Sequence, residues 1–416
     1  MLKTVTKRNG DIVDLDPLKI TNAISKANEE TQEMTVYQVE DVSMSVSQSI
    51  ESQNIHVEEI QDMVEEQLML QGYTKTAKAY ILYREKQAEG RKRNLFKPRT
   101  NLKPYEYPEL EKYKEAIQHS YWLFSEFNYT SDVHDYKVNV EPHERTAIRN
   151  AMLAISQVEV SIKEFWSDLY KRLPKPEFAN VGSTFAESEV RHSDAYSNLL
   201  ELLGLNGEFE KIQDIPALNK RIKYLKRHTE FAASGDDRDY MVAVMIFSSI
   251  IEHISLFSQF LIIMSFNKEE NKFKGMANAI KATSKEENLH GEFGIELVNT
   301  ALKENPSWFD DEFRDIMYDT MFDAYHAEKE MLGWIFEDGE LDFLSKYTIE
   351  EYIKNRMNNS LEAIGLSRIF EVDEKELEKT DWFDLETVST AHNDFFDSKS
   401  VNYSKRQKAM TADDLF

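Results

Sequence analysis

The sequence predicts a mainly α-helical protein, one large helical bundle preceded by a small α/β module. Three observations carry this: long stretches with apolar residues at helical spacing, a single short hairpin signal near the start, and one almost unbroken apolar helix. At 416 residues, with 41% hydrophobic and 12% aromatic content, the chain can bury a substantial core.

Residues 1–90 open with "KTVTKRNGDIVDLD", in which Asn-Gly between two β-type runs predicts a hairpin, and continue as helices to "TAKAYILYREKQAEG". The next stretch, "RKRNLFKPRTNLKP" (91–104), has basic residues and prolines and no acid, so a basic linker is expected there. From 105 to 390 helical patterns dominate, broken at "KRLPKPEF", "LNGEFEKIQDIP" and "KENPSW". Residues 391–416 are polar and read as a flexible tail. Within the helical region "MVAVMIFSSIIEHISLFSQFLIIMSF" (241–266) is long enough to cross a bilayer. Its centre carries Glu252 and His253, which are costly at mid-bilayer, and no comparable second segment exists to partner them. A buried core helix is expected instead, with no membrane partner.

Seventy-five acidic and fifty basic residues leave a formal charge of -25, which argues against a nucleic-acid partner. There is no cysteine and no secretory signal pattern, so a cytoplasmic protein without a disulfide framework is expected.

The chemistry concentrates on four helices taken in order. "AMLAISQVEVSIKEFW" supplies Glu159, "AESEVRHSDAY" Glu189 and His192, the apolar helix Glu252, and "ATSKEENLHGEF" Glu287 and His290. Glu, Glu-x-x-His, Glu, Glu-x-x-His is the ligand set of ferritin-like dinuclear metal proteins. Carboxylates bridge and neutralise two close cations, and each imidazole completes one ion's coordination. Spacing alone carries little, because with 75 acids about one or two of the ten histidines should follow an acid by three residues at random, and three do. The third, Asp323 with His326 in "FDAYHAEKEM", reads as a charged helix surface. The other two alternate with lone glutamates on helices suited to burial, where an unpaired carboxylate would cost several kcal/mol. Tyr196 shares a helical stripe with Glu189 and His192.

"YWLFSEF", "AESEVRHSDAY", "SKEENLH", "EYIKNRMNNSLEAIGL" and "HNDFFDSKSVNYSK" resemble, in order and separation, the radical-generating small (beta) subunit of class I ribonucleotide reductase, from about Tyr121 onward. The resemblance implies a ferritin-like fold with Glu159, Glu189, His192, Glu252, Glu287 and His290 as metal ligands. It implies Trp122 and the tail residue Tyr403 as radical-transfer residues, and Tyr196 at the position of a tyrosyl radical in many members. It further implies a homodimer docking on a catalytic large subunit through its C-terminal tail, Leu415 and Phe416 included. The absence of cysteine fits that division of labour, since nucleotide reduction in this family uses cysteines.

Two positions depart from the common pattern. Glu159 and Glu286 stand where aspartates are usual, and the first resembles branches that keep the oxidising equivalent on the metals. The expected cofactor is therefore dimanganese, with di-iron and manganese–iron as alternatives, and Tyr196 a neutral, hydrogen-bonded neighbour. "VTKRNGDIVDLDPLKITNAISKA" with "IHVEEIQDMVEEQLMLQGYTKTAKAYILYRE" resembles an ATP-cone, the regulatory nucleotide-binding domain of these enzymes. Lys7, Arg8, Asn9, Gly10 and Lys19 would then bind the phosphates of ATP or dATP, and dATP is expected to drive larger oligomers. Cysteine-free, the chain cannot be a zinc-ribbon repressor carrying such a cone. A stand-alone ferritin-like oxidase and a ferritin-like metal store with a nucleotide sensor remain the other readings.

Overall fold

The computed structural model describes residues 3–7, 12–50, 52–160, 162–223 and 236–389. Arg8, Asn9, Gly10, Tyr403, Leu415 and Phe416 lie outside the described residues. The chain divides into two compact units between Asn94 and Leu95.

In the first unit β1 (Thr4–Thr6) pairs antiparallel with β2 (Ile12–Asp14), Val5 opposite Val13, on either side of the Asn-Gly pair. Helices α1 (Pro17–Thr31) and α2 (Val36–Ser49) follow. Asp16 accepts from the Leu18 backbone N–H ahead of a proline at the helix start, and Thr35 with Gln38 forms a reciprocal cap. The sequence pattern does not predict β3 (Asn54–His56), which runs parallel beside β1 on the side away from β2. Three residues with one buried side chain, Ile55, are too few for an alternation to register. Helices α3 (Val57–Leu70) and α4 (Thr74–Lys92) complete the unit, whose core holds Ile24, Val42, Val46 and Leu68.

In the second unit the helices that matter are α5 (Pro108–His119), α6 (Pro142–Val158), α7 (Ile162–Ser167), α8 (Pro176–Leu203), α9 (Asp237–Glu270), α10 (Lys274–Glu304), α11 (Asp311–Ile335) and α12 (Lys346–Ala363). From Leu95 onward the basic stretch is packed, not free. Leu95 is buried, Arg99 pairs with buried Glu177, and the Lys175 ammonium donates to the Lys97 carbonyl at 2.9 Å. Helix α8 packs on α5, α6, α7 and α10, while α10 packs on α9 and α5.

The apolar segment forms α9, and 94% of its most apolar window is buried in this core. Its middle, Phe247–Ser255, is π-helical, a widened turn that the sequence does not announce. Two glycines of α10 accommodate it. A Cβ on Gly291 would strike the His253 ring, and one on Gly294 the Ser248 hydroxyl. This close approach sets Glu252 against α10.

Candidate metal centre

Each expected ligand is delivered by an element with its own local reason. Glu159 follows the last residue of α6 and sits at the junction with α7, not inside one continuous helix as its sequence pattern suggests. The β-branched Val158 and Val160 flank it and favour a helix less than the residues before them. Glu189 and His192 project from α8, Glu252 from the π-helical turn of α9, and Glu287 and His290 from α10. Glu159 is 3% exposed and the other five are fully buried.

The six converge as two overlapping groups: Glu159, Glu189, His192 and Glu287 form one, and Glu189, Glu252, Glu287 and His290 the other. Within each group one donor atom per residue lies within 4.8 Å of the rest. Glu189 and Glu287 belong to both. His192 Nδ1 is 3.2 Å from Glu189 and 2.9 Å from Glu287, and His290 Nδ1 is 2.9 Å from Glu189, 3.4 Å from Glu287 and 3.7 Å from Glu252. Both imidazoles thus turn Nδ1 inward. Their outer nitrogens are held, His192 Nε2 against Glu286 at 2.8 Å and His290 Nε2 against the Ser188 hydroxyl at 3.0 Å.

Seven atoms facing this centre make no hydrogen bond: both oxygens of Glu159, both of Glu287, one each of Glu189 and Glu252, and His290 Nδ1. These seven atoms crowd together without pairing by hydrogen bonds. Nitrogen and carboxylate donors in two sets sharing two carboxylates fit a pair of divalent transition-metal ions, with the outer contacts orienting the rings.

The electrostatics agree. Burial, reinforced by Glu189 for Glu159 and by Glu287 for Glu252, pushes both carboxyls well above the usual range. Burial opposes charging of His192 and His290, yet the carboxylates facing them outweigh it and raise both. Burial opposes ionisation of Glu287, yet its neighbour Glu252 and the charge of His192 hold it below its ordinary value. So many buried carboxylates facing one point need balancing positive charge.

Around the ligands lies a second layer. The Trp166 indole donates to Glu252 at 2.9 Å. Trp122, 4% exposed, donates through Nε1 to Glu286 at 3.2 Å, and its ring stacks 6.0 Å from that of His192. Glu286 therefore joins Trp122 to His192 through one carboxylate. Tyr196 lies one turn beyond His192 and is buried, with burial and Glu159 raising its phenol far above the ordinary value. The expected hydrogen bond to it is not closed: its hydroxyl faces Thr283, and neither hydroxyl finds a partner with good geometry. A cavity of about 250 Å3 lined by Glu159, Lys163, Ser193 and Tyr196 reaches this side of the cluster. In the first unit Lys7 and Lys19 line one cavity of about 290 Å3 together with Val13, Gln61 and Tyr80. Sequence reasoning assigned no role to Trp166, Ser188 or Arg191, since nothing in their local pattern says which way they face.

Comparison with known proteins follows the same division. Residues 99–377 match the family "Ribonucleotide reductase, small chain", and residues 3–89 match the ATP cone domain. The "Probable ribonucleoside-diphosphate reductase small subunit 048L" of Invertebrate iridescent virus 3 is 26% identical over 326 residues, covering 75% of this chain and 86% of the viral one. A ribonucleoside-diphosphate reductase subunit alpha of Chlamydia pneumoniae is 37% identical over 98 residues, 21% of this chain and 9% of that protein. Among solved structures, the dimanganese(II)-NrdF of Streptococcus sanguinis superposes with a TM-score of 0.59 at 17% identity, covering 68% of this chain and 97% of that one.

Proposed function

From its membership of the ribonucleotide reductase small-chain family, to which this chain belongs, we propose that it generates the radical used by a catalytic large subunit to make deoxyribonucleotides, under nucleotide control through its ATP cone. The observation that carries the reading is the pair of overlapping ligand groups sharing Glu189 and Glu287. Glu159, Glu189, His192 and Glu287 would hold one ion, and Glu189, Glu252, Glu287 and His290 the other. When bound, the metal pair supplies a one-electron oxidising equivalent.

The remaining roles belong to the chain. Trp166 and Ser188 orient Glu252 and His290, and Glu286 fixes His192. Trp122 passes its electron inward beside the Glu286 bridge, and Tyr403 relays the radical across the interface to a cysteine that only the partner possesses. The C-terminal tail, Leu415 and Phe416 included, docks the homodimer on that partner. Dimanganese is the favoured pair, supported by the longer Glu159 and by the fold shared with a dimanganese relative. Tyr196 is then a neutral bystander. The cytoplasm is the expected compartment.

Lys7 and Lys19 frame the cavity that would receive the phosphates of ATP or dATP, with Arg8, Asn9 and Gly10 completing the site. The segment shared with a large-subunit relative supports a cone that acts here through the small subunit. Binding of dATP drives larger, inactive oligomers, and by linkage those oligomers bind dATP more tightly. The test is metal analysis with electron paramagnetic resonance on active protein and on Tyr196→Phe. Turnover with an unchanged multiline manganese signal is expected; loss of both turnover and a narrow tyrosyl signal would place the radical on Tyr196. Deleting residues 1–90 should leave turnover that dATP no longer inhibits.

A further inference from the structure

We propose that Arg191 is a positioning residue for radical transfer: with Tyr121 stacked on it, it clamps Glu286 in the orientation that joins Trp122 to His192. The inference rests on the relay reading above and adds to it a residue that no part of that reading requires.

The geometry starts from a fully buried carboxylate. Glu286 accepts from the Ser120 hydroxyl at 3.0 Å, the Trp122 indole at 3.2 Å and Arg191 Nη1 at 3.1 Å to each oxygen, and it meets His192 Nε2 at 2.8 Å. The indole and the imidazole share one oxygen, Oε2. Ser120 holds Oε1 while the indole and imidazole hold Oε2, and a charged donor within reach of both oxygens braces the carboxylate plane between these partners. Arg191 is that donor, and its charge offsets the cost of burying an anion.

Arg191 is itself fixed. Its Nε donates to both oxygens of Glu187, its Nη1 also reaches the Trp122 carbonyl at 3.4 Å, and its guanidinium lies 4.6 Å from the centre of the Tyr121 ring. Arg191 is 4% exposed and Tyr121 54%. The guanidinium is thus the inner layer, and the tyrosine the outer one, between Glu286 and water. Each clamping residue directly precedes the residue it serves in the chain, Tyr121 before Trp122 and Arg191 before His192.

The test uses the metal-loaded full chain with its large subunit, comparing Arg191→Met, Arg191→Lys and Tyr121→Leu. Arg191→Met should keep its metal content, paramagnetic signal and affinity for the large subunit, while turnover falls by about tenfold or more, the scale of lost outer-layer contacts. Its indole N–H band in ultraviolet resonance Raman spectra, assigned by difference from Trp122→Phe, should shift toward a weaker hydrogen bond. Arg191→Lys should recover part of the turnover, and Tyr121→Leu should lose less than Arg191→Met. Wild-type turnover or an unshifted band in Arg191→Met would overturn the assignment, as would metal loss there combined with wild-type turnover in Arg191→Lys. Trp122→Phe separates the two levels. If it turns over, the relay and this inference fall together; if it is inactive while Arg191→Met is active, only the inference falls.

Discussion

Helices α10 and α11 carry the same acid-x-x-His spacing, Glu287 with His290 on the first and Asp323 with His326 on the second. On α10 both residues are fully buried and face two further carboxylates from α8 and α9. On α11 both are exposed, and the buried stripe of the helix, from Met317 and Met321 to Ala324 and Met331, runs along its other side. The spacing therefore places an acid and a histidine on one face without saying what that face meets. Convergence from separate elements makes a metal site, because no single helix offers enough donors to two ions.

The contrast breaks first at the ligands. Glu287→Ala should remove metal from both positions, since the side chain belongs to both donor groups, and reduce turnover by at least on the order of 100-fold. His326→Ala should leave metal content and turnover at wild-type levels. Metal analysis of the two purified variants decides it, and equal metal content in both would end the dinuclear assignment.

A second difference lies in how closely each helix is approached. Gly291 on α10 leaves room for the His253 ring of the π-helical turn, so Gly291→Ala must push that turn outward. Overpacking of this kind costs about 1–3 kcal/mol. A lowered Tm with slower metal uptake is the expected outcome, and an unchanged Tm would mean that the turn yields freely.

Much of this was legible in the sequence. The alternation of lone glutamates with Glu-x-x-His pairs named six residues that the fold brings together, because helix periodicity fixes which residues share a face. The burial of α9 followed from the charged pair at its centre. What stayed hidden depends on contacts between elements. The pairing of β3 beside β1 needs a partner far along the chain, and the π-helical turn becomes evident only against Gly291 and Gly294. Glu286 stood out as a departure, but its bridging role required Trp122, Arg191 and His192 to meet around it. The open hydroxyl of Tyr196 was equally invisible, since helical spacing says nothing of Thr283 across the bundle.

The two helices also begin differently. Asp132, from a neighbouring segment, accepts from the Gly275 and Met276 N–H groups at the start of α10, whereas α11 is capped by its own Asp310, which accepts from Phe313. Burial raises the Asp132 carboxyl from 3.8 to about 6 despite those two bonds, while the Phe313 N–H lowers that of Asp310. The signs are opposite. Ionising Asp132 costs stability, which is fully present below 3.8 and is lost as pH rises through about 6; Asp310 contributes above 3.8, and its contribution is lost on acidification. Between pH 4 and 6 the Tm of Asp132→Asn should therefore rise relative to wild type by a few degrees. A difference independent of pH would show that the backbone donors compensate fully for burial.

The smallest expected effect lies at a glycine of α11. Gly333 sits within the helix on its exposed side, and a Cβ built there meets nothing within 4 Å. No packing need explains the residue, so it carries only the entropic penalty of glycine in a helix, about 0.5–1 kcal/mol relative to alanine. Gly333→Ala should raise the Tm slightly and leave metal content and turnover unchanged, the reverse of Gly291→Ala on α10. Thermal unfolding of the two variants side by side tests whether the close approach at α10, and not glycine content as such, separates the helix of Glu287 and His290 from its neighbour. A destabilised Gly333→Ala would mean that this face of α11 is covered in the protein as it unfolds, and repeating the measurement across a range of protein concentrations would then tell a contact between copies from an intrachain one.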